Sequence, residues 1–361
     1  MRDGAPSNVG RNIFDNLYTK QKHLPFEEVI IYTDSEHRNN LKEKFKDIEV
    51  FTIKETFRIG KEDVIHIPVS PFVFPNAKFI LHSFAKLKNN RLILNYHGDL
   101  RNEVDLRYKS ERKVGLTNIP TYLLIPSLLN SANRVVVNSD SLKNRIISQY
   151  GTRSIEVIPN AVESYWFSEN QEKVNRAEDK CEIFYHGRLS PEKGVELLIK
   201  GLHEFLSEKK NPVRITLYIA GEGSQKEYLQ HLSKALKVDN NIIFLGNIDR
   251  KEIKEYLMKV DGAIYPSIWD NFPLSIIEAL ASANCPVFFS RNIGIYDFVT
   301  EKDLLNTFDP NVRNVADIFH YIFENKINRK VIQSQKKFAE KYTWDKVINH
   351  YIKLYRDIIG D

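Results

Sequence analysis

Cysteine is nearly absent from this 361-residue chain: Cys181 and Cys285 are the only two. Two cysteines give no disulfide framework and fit a reducing cytoplasm. Long apolar runs are missing too. The best candidate for a membrane span, residues 119–137, is broken by Pro126, Asn130, Asn133 and Arg134, whereas a spanning helix needs about 18 or more apolar residues in a row. The opening Met-Arg-Asp-Gly-Ala-Pro-Ser has no apolar core, which argues against a secretory leader. The ten histidines are scattered without paired spacing, so no built-in metal site and no resident cofactor are expected. No internal repeat of fixed period and no low-complexity run is visible.

The remaining composition, 42% hydrophobic and 27% charged, is ordinary for a soluble globular protein. The length suits two domains. Charge is unevenly placed within the net +5: residues 1–162 hold 24 Lys/Arg against 18 Asp/Glu, the remainder 28 against 29. A basic first half could approach an anionic surface or a phosphate-bearing substrate. A solvated surface would have the same composition.

Residues 28–158 alternate strand-like and helix-like segments. Strands are expected at 29–32, 50–53, 64–67, 92–95, 135–137 and 156–158, with helices such as 35–45 and 139–149 between them. Their apolar runs are short and continuous, the pattern of strands buried on both faces. A second series has strands at 183–186, 215–220, 242–245, 262–265 and 286–290. Alternation of this kind means an α/β fold with parallel sheets. The polar stretch 168–180 reads as a loop beside the domain boundary. At the start, residues 3–10 read as a glycine-containing loop leading into a helix over 12–18, with too few residues before it for the strand that would normally feed such a loop.

Chemistry concentrates at the ends of the second-series strands. Residues 269–278 set Asp270 in a loop and Glu278 in the early turns of a helix, eight residues apart. Ligands of open α/β sheets bind at the carboxyl edge. Two acceptor-only carboxylates there suit a ligand rich in hydroxyls, such as a ribose and a hexose. Residues 185–194 leave a strand and enter a helix. Ser190 is a natural N-cap, Pro191 fits the first helical position, and Arg188 and Lys193 flank the start. Helix dipole, backbone N–H groups and two cations at one spot make an anion site suited to a diphosphate. An ordinary capped helix with two surface cations would read the same way. Gly221-Glu222-Gly223, and Asn247 after Gly246, end strands where exposed backbone could read a nucleobase or simply turn. In the first half, His97 and Asp99 follow a buried strand beside Gly98 and would face an interdomain cleft.

Together these segments resemble glycosyltransferase family 4, the retaining transferases of GT-B fold. Ile158-Pro159-Asn160-Ala161-Val162 looks like the family's linker signature. Gly187-Arg188-Leu189 with Lys193-Gly194 matches its diphosphate-binding pair. Asp270 and Glu278 stand where the family has two glutamates eight apart, and Ala281, Asn284, Pro286 and Val287 continue that pattern. Tyr342-Thr343-Trp344-Asp345 resembles the segment that crosses back onto the first domain.

The resemblance implies two Rossmann-like doubly wound domains facing across a cleft. An acceptor-side domain would span 1–162 and be joined by the C-terminal helix 343–361. A nucleotide-sugar-binding domain would span 163–342. It implies a cytoplasmic retaining transferase that moves a sugar from a nucleotide-diphosphate sugar to a glycan, lipid-linked or small-molecule acceptor. It needs no obligatory metal, and its partners include no nucleic acid. A peripheral contact with the inner face of the membrane follows from the basic first half. Arg188, Lys193 and Gly187 would hold the diphosphate and Glu278 the ribose. Asp270 would take hydroxyls of the donor sugar, aided by backbone N–H groups of the Phe272–Leu274 loop. His97 would lie near donor sugar and acceptor, and the loop Gly4–Gly10 would close over a phosphate. Three positions depart from the family: Asp270 is one methylene shorter than glutamate, Pro273 replaces glycine and lacks an N–H, and Asn284 replaces glycine at the helix end. The first two motivate an alternative, a catalytically weak sugar-nucleotide-binding subunit supporting a partner transferase. A nucleotide-sugar isomerase of the same fold is a further rival.

In the family, the loop at residues 4–10 follows an interior strand of the first domain. An empty interior slot would leave buried backbone groups unpaired. The expectation is therefore that the native polypeptide starts roughly ten residues upstream, with Met1 an internal start, or that another segment or a partner chain fills the slot.

Overall fold

The computed structural model describes residues 5–20, 24–33, 38–60, 63–68, 82–83, 85–98, 118–167, 180–209, 213–324 and 328–360. The chain divides into two compact units, Met1–Pro159 with Trp344–Asp361, and Asn160–Thr343.

The first unit runs α1 (Ala5–Thr19), β1 (Ile30–Thr33), α2 (Arg38–Lys44), β2 (Glu49–Thr52), β3 (Val64–Ile67), β4 (Arg91–Asn95), α3 (Asn118–Ser131), β5 (Arg134–Val137), α4 (Asp140–Tyr150) and β6 (Ile155–Val157). Every strand pairing is parallel. Parallel neighbours require long crossovers, and α2, α3 and α4 lie in those from β1 to β2, β4 to β5 and β5 to β6. The central strand β4 is buried on both faces, with Leu92, Ile93 and Leu94 at 1% exposure or less. Helix α4 is closed at both ends by its sequence. The Ser139 hydroxyl accepts from Leu142 N–H, and Gly151 caps the other end in the left-handed conformation, where glycine costs least.

The strands of this unit form two sheets rather than one, β1–β2 and β3–β4–β5–β6, and among the described residues β1 and β3 are not paired. Tyr32 of β1 nevertheless packs against the core cluster containing Ile65 and Ile67 of β3.

Glycine content at the start predicts a loop over 3–10, and the structure corrects this. Residues 5–10 are already helical in α1, and Gly4 lies outside the described residues. Val9, Ile13 and Leu17, spaced by four, are buried and give the segment an apolar stripe. That burial outweighs a mid-helix glycine, which costs only about 1 kcal/mol.

The second unit runs β7 (Lys180–His186), α5 (Val195–Glu208), β8 (Arg214–Ala220), α6 (Lys226–Ala235), β9 (Ile242–Gly246), α7 (Arg250–Lys259), β10 (Gly262–Tyr265), α8 (Leu274–Ser282), β11 (Val287–Ser290), β12 (Asn306–Phe308), α9 (Val312–Glu324) and α10 (Arg329–Ala339). Its six strands make one continuous parallel sheet in the order β12-β11-β10-β7-β8-β9. Strand β12 has no counterpart in the sequence reading. Of the boundary loop expected at 168–180, only Lys180 falls among the described residues, and it opens β7.

The last helix, α11 (Trp344–Gly360), belongs to the first unit. Trp344, Val347, Ile348, Tyr351, Ile352, Tyr355 and Ile358 are buried along it, the three-and-four spacing of an amphipathic helix. Its two buried tyrosines close a polar clamp on β3 and β4. Tyr355 donates its hydroxyl to Nδ1 of His66 at 2.7 Å, and His66 Nε2–H donates to Asn95 Oδ1 at 2.9 Å. Asn95 Nδ2 then donates to the Tyr351 hydroxyl at 2.9 Å. Burial pushes the His66 pKa down to about 4, so the ring is neutral at pH 7 and the chain of donors and acceptors holds.

Candidate donor-binding site

Strands β7 and β10 are neighbours in register, with Phe184 opposite Ala263. Two residues further on, His186 and Tyr265 end the strands side by side at the sheet's carboxyl edge, the ligand edge of open α/β folds. The loops and helices that follow these strands carry the candidate residues.

After β7 comes the stretch Gly187–Gly194. The sequence predicts one capped helix starting at Ser190; the structure instead has a single 3-10 turn, Pro191–Lys193, closed by Gly194 at φ 65°, before α5 begins. A Cβ on Gly194 would lie 2.2 Å from the Pro266 carbonyl oxygen, so glycine is required both for the turn and for the close approach of the neighbouring loop. The Ser190 hydroxyl donates to Glu192 Oε1 at 2.5 Å instead of capping the backbone. The N–H groups of Lys193, Gly194 and Leu197 bond the carbonyls of Ser190, Pro191 and Gly194. Those three donors are therefore already occupied within the turn, contrary to the expected cluster of backbone N–H groups for an anion.

What the turn does supply is position for Lys193. The Glu192 carbonyl accepts from the N–H groups of Ile268 and Trp269 at 2.9 and 3.3 Å, locking this turn to the loop after β10. Lys193 Nζ then pairs with Asp270 Oδ2, with their side chains 11% and 19% exposed. Arg188 is on the same stretch but extends toward solvent, 59% exposed, with Nη2 3.9 Å from Glu192 Oε1.

The loop after β10 is held from several sides. The Asp270 carbonyl accepts from Gly294 N–H at 2.9 Å. The Phe272 side chain is buried against the rings of Phe298 and Tyr342, and its carbonyl accepts from Asn160 Nδ2 at 3.2 Å. Phe272 thus anchors the loop in the core. Pro273 takes the N-cap position without a side-chain cap, and Leu274 opens α8. Glu278 lies in the second turn of α8. Its Oε2 is 3.1 Å from His186 Nε2, while His186 Nδ1 is 2.7 Å from the Tyr265 hydroxyl. Lys193, Asp270 and Glu278 are thus gathered by neighbouring strand ends.

Elsewhere, Gly221-Glu222-Gly223 is a structural turn. Gly221 N–H donates to the Gly246 carbonyl at 2.7 Å, and a Cβ on Gly221 would lie 1.9 Å from the Gly187 carbonyl oxygen. The turn supports the Gly187 loop from behind. Asn247 is exposed after β9. His97 follows β4 in the first unit and donates Nε2–H to the Pro68 carbonyl at 2.9 Å; Asp99 lies outside the described residues. His186 and Tyr265 were not singled out from the sequence. The available signal was that each directly precedes a candidate loop, Gly187 and Pro266, but the pairing of β7 with β10 is not visible in a sequence.

All-parallel doubly wound units with cations and carboxylates at a carboxyl edge define a class of two-unit Rossmann-like ligand-binding proteins. Two consecutive family models match this chain: Glycosyltransferase Family 4 over residues 19–164 and Glycosyl transferases group 1 over residues 167–341. The chain belongs to the family 4, group 1 glycosyltransferases. It is similar to an uncharacterized glycosyltransferase of Methanocaldococcus jannaschii, 27% identical over 62% of this chain and 60% of that protein. It is also similar to a D-inositol 3-phosphate glycosyltransferase of Acidothermus cellulolyticus, 23% identical over 78% of this chain and 62% of that protein. The matches thus span about three fifths of those two relatives. Among solved structures, Anabaena HepE in complex with UDP superposes with a TM-score of 0.71 at 17% identity, covering 98% of both chains. The fold is GT-B. No helix among the described residues is long and apolar enough to cross a membrane.

Proposed function

We propose that the chain is a retaining glycosyltransferase that takes a sugar from a nucleotide-diphosphate donor held at the carboxyl edge of the second unit. The observation that carries this is the convergence of Lys193, Asp270 and Glu278 at adjacent strand ends. A lysine at a β7 loop and a carboxylate one loop away can divide a donor between diphosphate and sugar hydroxyls. The second carboxylate, on α8, takes the ribose. Lys193 and Arg188 stabilise charge that develops on the leaving diphosphate, which is electrostatic catalysis by groups fixed before reaction. The diphosphate replaces Asp270 as one partner of Lys193, and Asp270 is then available to the sugar. Retention of configuration follows the family resemblance, as does the placing of His97 near the acceptor.

The acceptor side is the first unit. Its basic composition and the similarity to a D-inositol 3-phosphate glycosyltransferase support an acceptor bearing phosphate. Leu87 and Leu123, 82% and 72% exposed, with Lys86 beside Leu87, support contact with an anionic lipid surface. Binding to anionic vesicles in a sedimentation assay is expected to fade as salt rises, because charge attraction is screened; binding only to neutral vesicles rejects that contact.

Nucleotide release from a panel of sugar nucleotides, with and without glycan, inositol-phosphate and lipid-linked acceptors, tests the main reading. A transferase releases nucleoside diphosphate in an acceptor-dependent way. The sugar-nucleotide-binding subunit, favoured by the missing N–H at Pro273, binds donor without release. An isomerase converts the sugar nucleotide and releases nothing.

A further inference from the structure

His186 is 4% exposed and sits between a tyrosine and the carboxylate just assigned to the ribose. Its ring is stacked on Phe184 with centroids 5.6 Å apart and 20° between planes, and meets Tyr265 edge-on at 5.5 Å. Both neighbours share its sheet face, so the imidazole has little freedom to turn. Burial, and next the charge of Glu278, raise the Tyr265 pKa well above its ordinary value, which keeps the phenol protonated and able to donate. The Tyr265 hydroxyl therefore donates to Nδ1, the ring proton resides on Nε2, and Nε2–H donates to Glu278 Oε2. Fixing one ring nitrogen as acceptor fixes the other as donor.

A glutamate on a helix has three rotatable bonds and four lone-pair directions on its carboxylate. One bond from His186 removes most of the rotational freedom and leaves the other acceptor sites for hydroxyls. We propose that Tyr265 and His186 are positioning residues that orient Glu278 and thereby set the preference of this site for a ribose over a 2′-deoxyribose. The inference rests on the assignment of Glu278 to the ribose. The mechanism is preorganisation: the ordering of Glu278 is completed before the nucleotide arrives, so more of the hydrogen-bond energy appears as affinity.

The test is calorimetric titration with UDP, GDP and ADP and their 2′-deoxy forms, using the tightest pair. Wild type is expected to prefer the ribonucleotide by about tenfold or more, the worth of a hydrogen bond to a charged group. Glu278→Ala brings the ratio near one. His186→Leu reduces it at least threefold, and Tyr265→Phe, which deletes a single hydroxyl, reduces it partly. His186→Gln restores most of the ratio, because its amide oxygen accepts from Tyr265 and its nitrogen donates to Glu278. In turnover, His186→Leu raises KM for the donor more than it lowers kcat. If Glu278→Ala collapses the ratio while His186→Leu and Tyr265→Phe keep it whole, the inference falls and the ribose assignment stands. If wild type shows no preference, or Glu278→Ala retains it, the ribose assignment falls and the inference with it.

Discussion

Two histidines, one in each unit, have the same first partner and differ in the second. His66 and His186 both accept a tyrosine hydroxyl on Nδ1 at 2.7 Å. His66 then donates to the neutral amide of Asn95, whose nitrogen donates to Tyr351 on α11. His186 donates to a carboxylate, Glu278, that keeps acceptor capacity after the bond is made. The first network links neutral groups and joins a helix to two strands. The second ends in a charged group with directions left over. On the proposed reading, the acceptors left on Glu278 are the ones that meet the ribose.

The same contrast holds at the level of the sheets. The second unit has one continuous six-stranded sheet with Lys193, Asp270 and Glu278 at its carboxyl edge. Among the described residues, the first has its strands divided four and two, with β1 and β3 unpaired to each other. If the second unit carries the donor chemistry, the largest effects should come from its charges. Lys193→Ala and Arg188→Ala are each expected to lower turnover by on the order of 10²–10³, the cost of removing a preorganised charge at a developing anion. Wild-type-like kcat/KM in either folded variant removes the diphosphate assignment.

The His66 network should answer to pH through stability. Burial lowers the His66 pKa from 6.5 to about 4, so the unfolded chain binds a proton more readily than the folded one. The His66 contribution is therefore whole above about pH 6.5 and is lost as pH falls from there through about 4, by on the order of 3 kcal/mol. Chemical denaturation at several pH values should show this slope in wild type and a shallower one in His66→Gln. Parallel slopes would mean that His66 does not titrate on unfolding.

Within the second unit the two carboxylates should separate. Glu278→Ala is expected to weaken nucleoside diphosphate binding about tenfold, while Asp270→Ala spares that binding and cripples sugar transfer. Equal weakening by both would merge the roles. The smallest effect concerns the sheets. Amides of β1 and β3 should exchange hydrogen faster than those of β7 and β10, because an unpaired strand edge opens at lower free energy. Equal protection would show that the divided sheet carries no cost.

The fold class was readable because parallel strands buried on both faces appear as short continuous apolar runs, and β3 and β10 fall where such runs begin and end. Strand β12 was not readable: Asn306-Thr307-Phe308 has one apolar residue in three and owes its place to pairing with β11. Helix α1 over residues 5–10 is hidden by its glycine content, which points to a loop, while the four-residue spacing of Val9, Ile13 and Leu17 points to the helix. In the site, Lys193, Asp270 and Glu278 were readable from residue type at strand ends. The break at Gly194 was not, since it depends on how closely the Pro266 carbonyl approaches. His186 and Tyr265 acquire meaning only once β7 and β10 are known to be neighbours.

A crystal structure of the chain with a bound nucleoside diphosphate would show whether Lys193, Arg188 and Glu278 hold the nucleotide. The diphosphate is expected within hydrogen-bond distance of Lys193 Nζ and near Arg188, with the ribose hydroxyls on Glu278 and the His186–Glu278 bond intact. A nucleotide seated on the first unit, or one on the second unit that touches neither Lys193 nor Glu278, would contradict it.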